Sequence, residues 1–216
     1  KEVLNFKKTP LANSYVKSSN TNEKYYPLKC ILCKDCKHLQ LQHLVSPSLL
    51  FEDYMYVSGT SPVLKKHFEN YFKKIKKIIK INKKKDKILD IACNDGTFLN
   101  FFKKKGMKVV GVDPAKNLAT LANKKGIFTY GEFFNNKTIK KIKRKYKKKA
   151  KLILCFNTFA HSENLRDIVK NIHDILDEKG VFVFECQYLR DIYDKKILGT
   201  IFHEHMYHHS ISSLSN

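Results

Sequence analysis

The sequence predicts an α/β protein, a mostly parallel sheet clothed by helices and preceded by a small loop-rich unit. Three observations carry this. From residue 87 onward five short apolar runs alternate with segments of helical periodicity: KILDIA (87–92), KVVGVD (108–113), a brief one at 127–130, LILCFN (152–157) and VFVFEC (181–186). Most of these runs are continuous rather than alternating, as strands buried on both faces should be. Before residue 60 the apolar pieces are shorter and broken by Pro10, Pro27 and Pro47, with Cys30, Cys33 and Cys36 among them.

Residues 1–62 therefore read as a module held by a metal. Zinc prefers four thiolate or imidazole ligands in a tetrahedron, and Cys33-x-x-Cys36 offers two from one tight turn. Cys30, His38 and His43 stand nearby as further donors. A second domain is expected over 63–216. It opens on an amphipathic helix, 63–82, where Leu64, Phe68, Tyr71, Phe72, Ile75, Ile78 and Ile79 recur at helical spacing. After the first strand, Asn94 and Asp95 can cap a helix over 97–105. Further helices are expected at 115–123, 137–147 and 164–177. The lysine runs at 82–87 and 147–151 read as solvated loops.

Composition sets the outer bounds. The chain has 216 residues, 43% of them apolar, enough for a real core. Its formal charge is +22, which invites a nucleic-acid reading. Arg144, Arg166 and Arg190 are the only arginines among 42 basic residues, and base readers and phosphate clamps favour the guanidinium fork. The excess of lysine fits a solvated surface that gathers an anionic substrate better than a nucleic-acid groove. No apolar run reaches 18 residues, so no membrane span is expected. Cysteines in apolar runs or in a metal pair, with no secretory signal, suit a reducing, cytoplasmic setting. The chain opens on Lys1 and closes in a polar stretch, and it is expected to be truncated at both ends.

Ligands of a parallel sheet bind beyond the carboxyl ends of its strands. The first strand there runs into Asp90-Ile-Ala-Cys-Asn-Asp-Gly96, and the second ends in Asp113-Pro114. A carboxylate at 113 can accept both ribose hydroxyls of an adenosine. The phosphate-cradling Gly-x-Gly-x-x-Gly is missing, since Ala92 and Asn94 occupy glycine positions, and no Walker loop exists. S-adenosylmethionine carries no phosphate and suits such a turn. The expected contacts are Asp90, Cys93, Asn94, Gly96, Asp113, Pro114 and, after the fourth strand, Asn157.

Several segments in order resemble one family: PLANSYV (10–16), Cys33-x-x-Cys36 followed by LQL (39–41), LFEDYMYVSGTSP (50–62), ILDIACNDGTFL (88–99), VVGVDPAKNLA (109–119), GEFF (131–134), FNTFAH (156–161), VFVFECQYL (181–189) and TIFHEH (200–205). Together they resemble the sugar C-methyltransferases that build branched deoxysugars. The resemblance implies a Rossmann-like class I methyltransferase sheet, an N-terminal structural zinc module and a nucleotide-linked keto sugar as substrate. It also implies that half of the zinc site lies before residue 1. Methylating carbon needs a carbanion equivalent, which a base makes by removing the proton beside a ketone. By the resemblance His205 is that base and Glu204 its partner, with His161 a second candidate and Tyr56 reaching in from the N-terminal module. Phe202 stands where relatives often have Tyr, and Gly199 where they often have Asp.

Other readings of the same residues remain. His203, Glu204, His205, His208 and His209 nearly form a zincin helix, but that needs His where Tyr207 stands. An O- or N-methyltransferase of another small molecule and a non-catalytic basic module are the competing functions.

Overall fold

A computed structural model describes residues 1–16, 18 and 22–215. The chain divides into two compact units that interleave in sequence. One holds residues Phe51–Phe156 and Asn164–Phe184, the other Lys1–Leu50, Asn157–Glu163 and Glu185–Asn216.

In chain order the strands are β1 (Glu2–Thr9), β2 (Tyr26–Leu32), β3 (Leu39–Leu41), β4 (Lys87–Ile91), β5 (Lys108–Val112), β6 (Thr129–Tyr130), β7 (Ala150–Phe156), β8 (Leu176–Glu185) and β9 (Tyr207–His208). The helices are α1 (Pro47–Phe51), α2 (Pro62–Ile78), α3 (Thr97–Lys103), α4 (Lys116–Lys124), α5 (Asn136–Lys145), α6 (Leu165–Ile175), α7 (Leu189–Asp194) and α8 (Ile211–Ser215).

The first unit is built on a five-stranded sheet of order β6-β5-β4-β7-β8. The ladders of β6 on β5, β5 on β4 and β4 on β7 are parallel. Ile88, Leu89, Asp90 and Ile91 of β4 are all buried, and so are Leu152, Ile153, Leu154 and Cys155 of β7. Successive residues of a strand point to opposite faces, so both faces of the sheet are covered. The fold is of the α/β class that the alternating runs predict, with the Rossmann-like sheet that the resemblance implies.

Helix α2 starts where Ser61 accepts a hydrogen bond from the Leu64 amide, with Pro62 in the first turn. Its buried face carries Phe68, Phe72 and Ile75. Phe68 stacks on Phe98 at 4.6 Å between centroids, and Phe72 meets Phe102 edge-on at 4.9 Å. The helix stops at Ile78, short of the expected 82, because Ile79 turns extended and stays in the core.

The second unit differs from its expectation. In place of a loop-rich module, residues 2–41 supply three antiparallel strands, completed by β9 from the far end of the chain in the order β1-β2-β3-β9. Leu28, Cys30, Leu39, Leu41 and Ile201 form its core. β3 and β9 are too short to show a period in sequence, and the irregular register of β1 on β2 breaks the alternation there. The expected boundary at 62/63 also shifts: residues 51–62 pack in the sheet unit, where the Lys116 amide bonds the Glu52 carbonyl and Asn117 bonds the Tyr54 carbonyl.

Phe102 is fully buried between α2 and the sheet. Phe102→Ala should cost about 3–5 kcal/mol of unfolding free energy, read as a lowered urea midpoint; a change below about 1 kcal/mol would mean that this core is not packed as described.

Candidate functional site

At the carboxyl ends of β4 and β5 the chain makes a turn with three left-handed residues, Ala92 (φ 55°), Asn94 (φ 52°) and Gly96 (φ 75°). Ala92 and Asn94 thus hold the backbone shape that glycine would take more easily. Gly96 has no room for more: an added Cβ would lie 2.8 Å from Ile127 Cδ1.

The turn is bound from both sides. The Asn94 amide donates to Asp113 Oδ2 at 2.7 Å, and the Ala115 amide donates to Oδ1 at 2.9 Å. The Asn94 side chain accepts from the Ser58 amide at 2.8 Å and donates to the Tyr56 carbonyl at 2.9 Å. Behind it, buried Asp95 is paired with Lys125 and accepts from the Thr97 amide. Gly59 permits this approach, since a Cβ there would meet Asp95 Oδ2 at 2.3 Å.

Burial raises the Asp113 carboxyl to about 6 against the pull of its two amide donors. Asp90 lies inside the sheet, and burial, helped by the charge of Asp113, pushes it up to about 8. Asp90 is thus mostly protonated at neutral pH, and Asp113 is the carboxylate of this corner. Each Asp113 oxygen has a lone pair left beyond its amide bond, so it can accept hydroxyl donors as well. Nothing here supplies the stacked amides and glycines of a pyrophosphate cradle, and the donor set suits an adenosine without phosphate. Cys93 turns its thiol into the core beside Thr129, and its amide and carbonyl are bonded to the Val112 carbonyl and the Gly96 amide, so the expected cofactor contact has no free group here. Pro114 is half-buried after Asp113. Tyr56 belongs to this unit rather than to the N-terminal module, and its side chain is exposed.

The other unit gathers the histidines. The rings of His161 and His205 lie 4.9 Å apart, and Phe202 lies 4.0 Å from His205. His205 Nδ1 stands 2.6 Å from the Thr200 carbonyl, which can only accept. The proton is therefore on Nδ1, and Nε2, 3.4 Å from Gln187 Nε2, carries the lone pair. Thr200, not a carboxylate, sets this tautomer. Glu204 is buried and accepts from Asn13 Nδ2 at 2.8 Å. Burial, with the charge of His205, lowers His161 to about 3; burial also lowers His205. Both are neutral at physiological pH. Asn157, left-handed at φ 52°, donates its side chain to Glu185 at 3.1 Å. A Cβ at Gly199 would meet open space. Tyr207 and His208 are strand residues, which removes the zincin helix.

Cys33 and Cys36 lie in the turn joining β2 to β3, closed by the Cys33 amide on the His38 carbonyl and by left-handed Lys37 (φ 57°). The amides of Cys36 and Asp35 and the thiol of Cys36 bond the Cys33 sulfur and lower its pKa, the environment a zinc thiolate wants. Cys30 is a core residue whose thiol burial pushes to about 11. Among the described residues no group of three or more His, Cys, Asp or Glu is arranged to hold a metal. Cys33 and Cys36 are two thiolate donors of the kind that zinc takes. Among the same residues no helix is long and apolar enough to cross a membrane.

Sequence reasoning missed Gly59, Thr200, Gln187 and Asn13. Only Gly59 left a signal, a glycine between two hydroxyl residues.

A family model described as "Methyltransferase domain" matches residues 63–216, and one described as "Putative zinc binding domain" matches residues 1–51. C-methyltransferase NovU of Streptomyces niveus is 29% identical over 215 residues, 99% of this chain and 51% of NovU. The chain thus spans about half the length of the curated relative it matches. Among solved structures, the plantazolicin methyltransferase BpumL in complex with SAH superposes with a TM-score of 0.49 at 19% identity, over 60% of this chain and 52% of that one. DesVI of Streptomyces venezuelae gives 0.45 at 17% identity, over 57% and 52%.

Burial lowers His208 and His209 to about 4 each. The stability they contribute is whole above the ordinary histidine value of about 6.5 and is lost as pH falls from there through 4. The thermal midpoint should fall over that window, and less steeply in His208→Tyr/His209→Phe; identical slopes would contradict the buried, neutral assignment.

Proposed function

This chain belongs to the methyltransferase domain family, and from that premise we propose that it moves a methyl group from S-adenosylmethionine to a carbon beside the ketone of a nucleotide-linked deoxy sugar. The observation that carries the reading is the tautomer of His205, half-buried, with Nδ1–H given to the Thr200 carbonyl and the lone pair on Nε2 beside Gln187. The name of NovU, a C-methyltransferase, supports carbon as the acceptor.

Asp113 would hold the ribose hydroxyls of the cofactor, beside the Ala92–Gly96 turn. Bound there, the cofactor supplies an electrophilic methyl on a sulfonium. His205 Nε2 takes the proton from the carbon beside the ketone, and the electron pair of that C–H bond moves onto the ketone oxygen as an enolate. A neutral imidazole can accept that proton, and the hydrogen bond from Nδ1 to Thr200 strengthens as the ring becomes charged. His161, neutral beside it, is a second polar contact for the substrate. Phe202 packs on the base without offering a hydroxyl. Zinc on Cys33 and Cys36 is structural in this reading.

In deuterium oxide the wild type should exchange the proton beside the ketone of such a sugar, followed by NMR. His205→Asn should slow this by about 10²-fold or more; exchange at the wild-type rate would remove His205 as base. Asp113→Asn should weaken binding of S-adenosylhomocysteine by about 1–3 kcal/mol in calorimetry, with the fold intact by circular dichroism; unchanged affinity would remove Asp113 as the ribose clamp.

A further inference from the structure

At the amino ends of the central strands, opposite the Asp113 corner, lies a cavity of 340 Å³. Its floor is apolar, made by Ile88, Leu89, Val110, Ile142 and Ile175. Its wall is Tyr146, at the end of α5, and its rim is Lys87, Lys143, Lys147, Lys148 and Lys149, with Asp174 the one carboxylate. The lysine run that the sequence marked as a solvated loop is thus folded along the lip of a pocket.

The lysines are not placed at random. Lys87 donates to the Lys148 carbonyl at 2.9 Å and sits 4.7 Å from the Tyr146 ring centroid. Lys143 is paired with Asp174 at 3.4 Å, which uses up the only opposing charge. Lys147, Lys148 and Lys149 are exposed and face no carboxylate of the lining. Partial burial of Lys87 and the nearby charges of Lys108 and Lys148 lower its pKa, a mark of uncompensated positive charge that an anion would relieve.

We propose that this cavity binds a nucleoside diphosphate or triphosphate, base against Tyr146 and the apolar floor, phosphates among Lys87 and Lys147–Lys149. The volume is that of a small-molecule site. An apolar floor with a ring beside it suits a flat base, and a cluster of flexible ammonium groups suits a chain of phosphates. The inference does not rest on the reading of the catalytic residues, and the ligand differs from the phosphate-free cofactor.

The probe is ADP, titrated into the whole chain by calorimetry. ADP should bind, its affinity should fall from about 50 to about 200 mM salt, and pyrophosphate and adenosine should each bind at least roughly tenfold more weakly. Lys148→Glu/Lys149→Glu, both at exposed positions, should weaken ADP by roughly tenfold or more with an unchanged circular dichroism spectrum. On the wild-type chain, ADP should also shield Lys147, Lys148 and Lys149 from acylation, read by mass spectrometry. Absence of ADP binding, pyrophosphate as good as ADP, no shielding of these lysines, or displacement of ADP by a more tightly bound duplex DNA would each overturn the proposal.

Discussion

The hydrogen bond from the Asn94 amide to Asp113 joins the tips of β4 and β5, and the order of this corner depends on it. It forms only because Ala92, Asn94 and Gly96 all take left-handed backbone, which turns the amide of residue 94 toward the neighbouring strand. Asn94 is suited to this position, since asparagine tolerates that conformation better than most residues and its side chain bonds three backbone groups, the amides of Ser58 and Asp95 and the carbonyl of Tyr56. By bonding Ser58 and Tyr56 it fixes the 58–60 turn, and Gly59 lets that turn settle on Asp95. Asp113 is left buried, oriented by two amides, and still able to accept.

The second unit uses a different device. Burial lowers the pKa of its clustered histidines, which keeps the rings neutral where an exposed group would titrate. Within that setting one carbonyl, from Thr200, chooses the protonated nitrogen of His205. A carbonyl acts here as a carboxylate could, but without a charge; the cost of burying Glu204 is met elsewhere, through Asn13. These contacts join residues far apart in the chain, Asn13 to Glu204 and Glu163 to Tyr207, so this unit depends on both ends of the sequence.

Most of the sheet unit was readable in the sequence, because most of its strands are continuous apolar runs separated by helices of clear period. KILDIA, KVVGVD and LILCFN fell within a residue or two of β4, β5 and β7. Asp113 was identifiable because a lone carboxylate closed an apolar run. The antiparallel sheet was hidden: β3 and β9 are three and two residues long, and their pairing spans most of the chain. Thr200 and Gln187 contribute a carbonyl and an amide, groups that carry no sequence signature. The 340 Å³ cavity was equally hidden, since a run of lysines looks the same in sequence over a pocket as over open solvent.

A crystal structure of the chain with S-adenosylhomocysteine tests the central claim most directly. Both ribose hydroxyls should lie within hydrogen-bonding reach, about 2.5–3.0 Å, of the Asp113 oxygens, with the nucleoside over the Ala92–Gly96 turn. A nucleoside bound elsewhere, with Asp113 holding only its two backbone amides, would contradict the account.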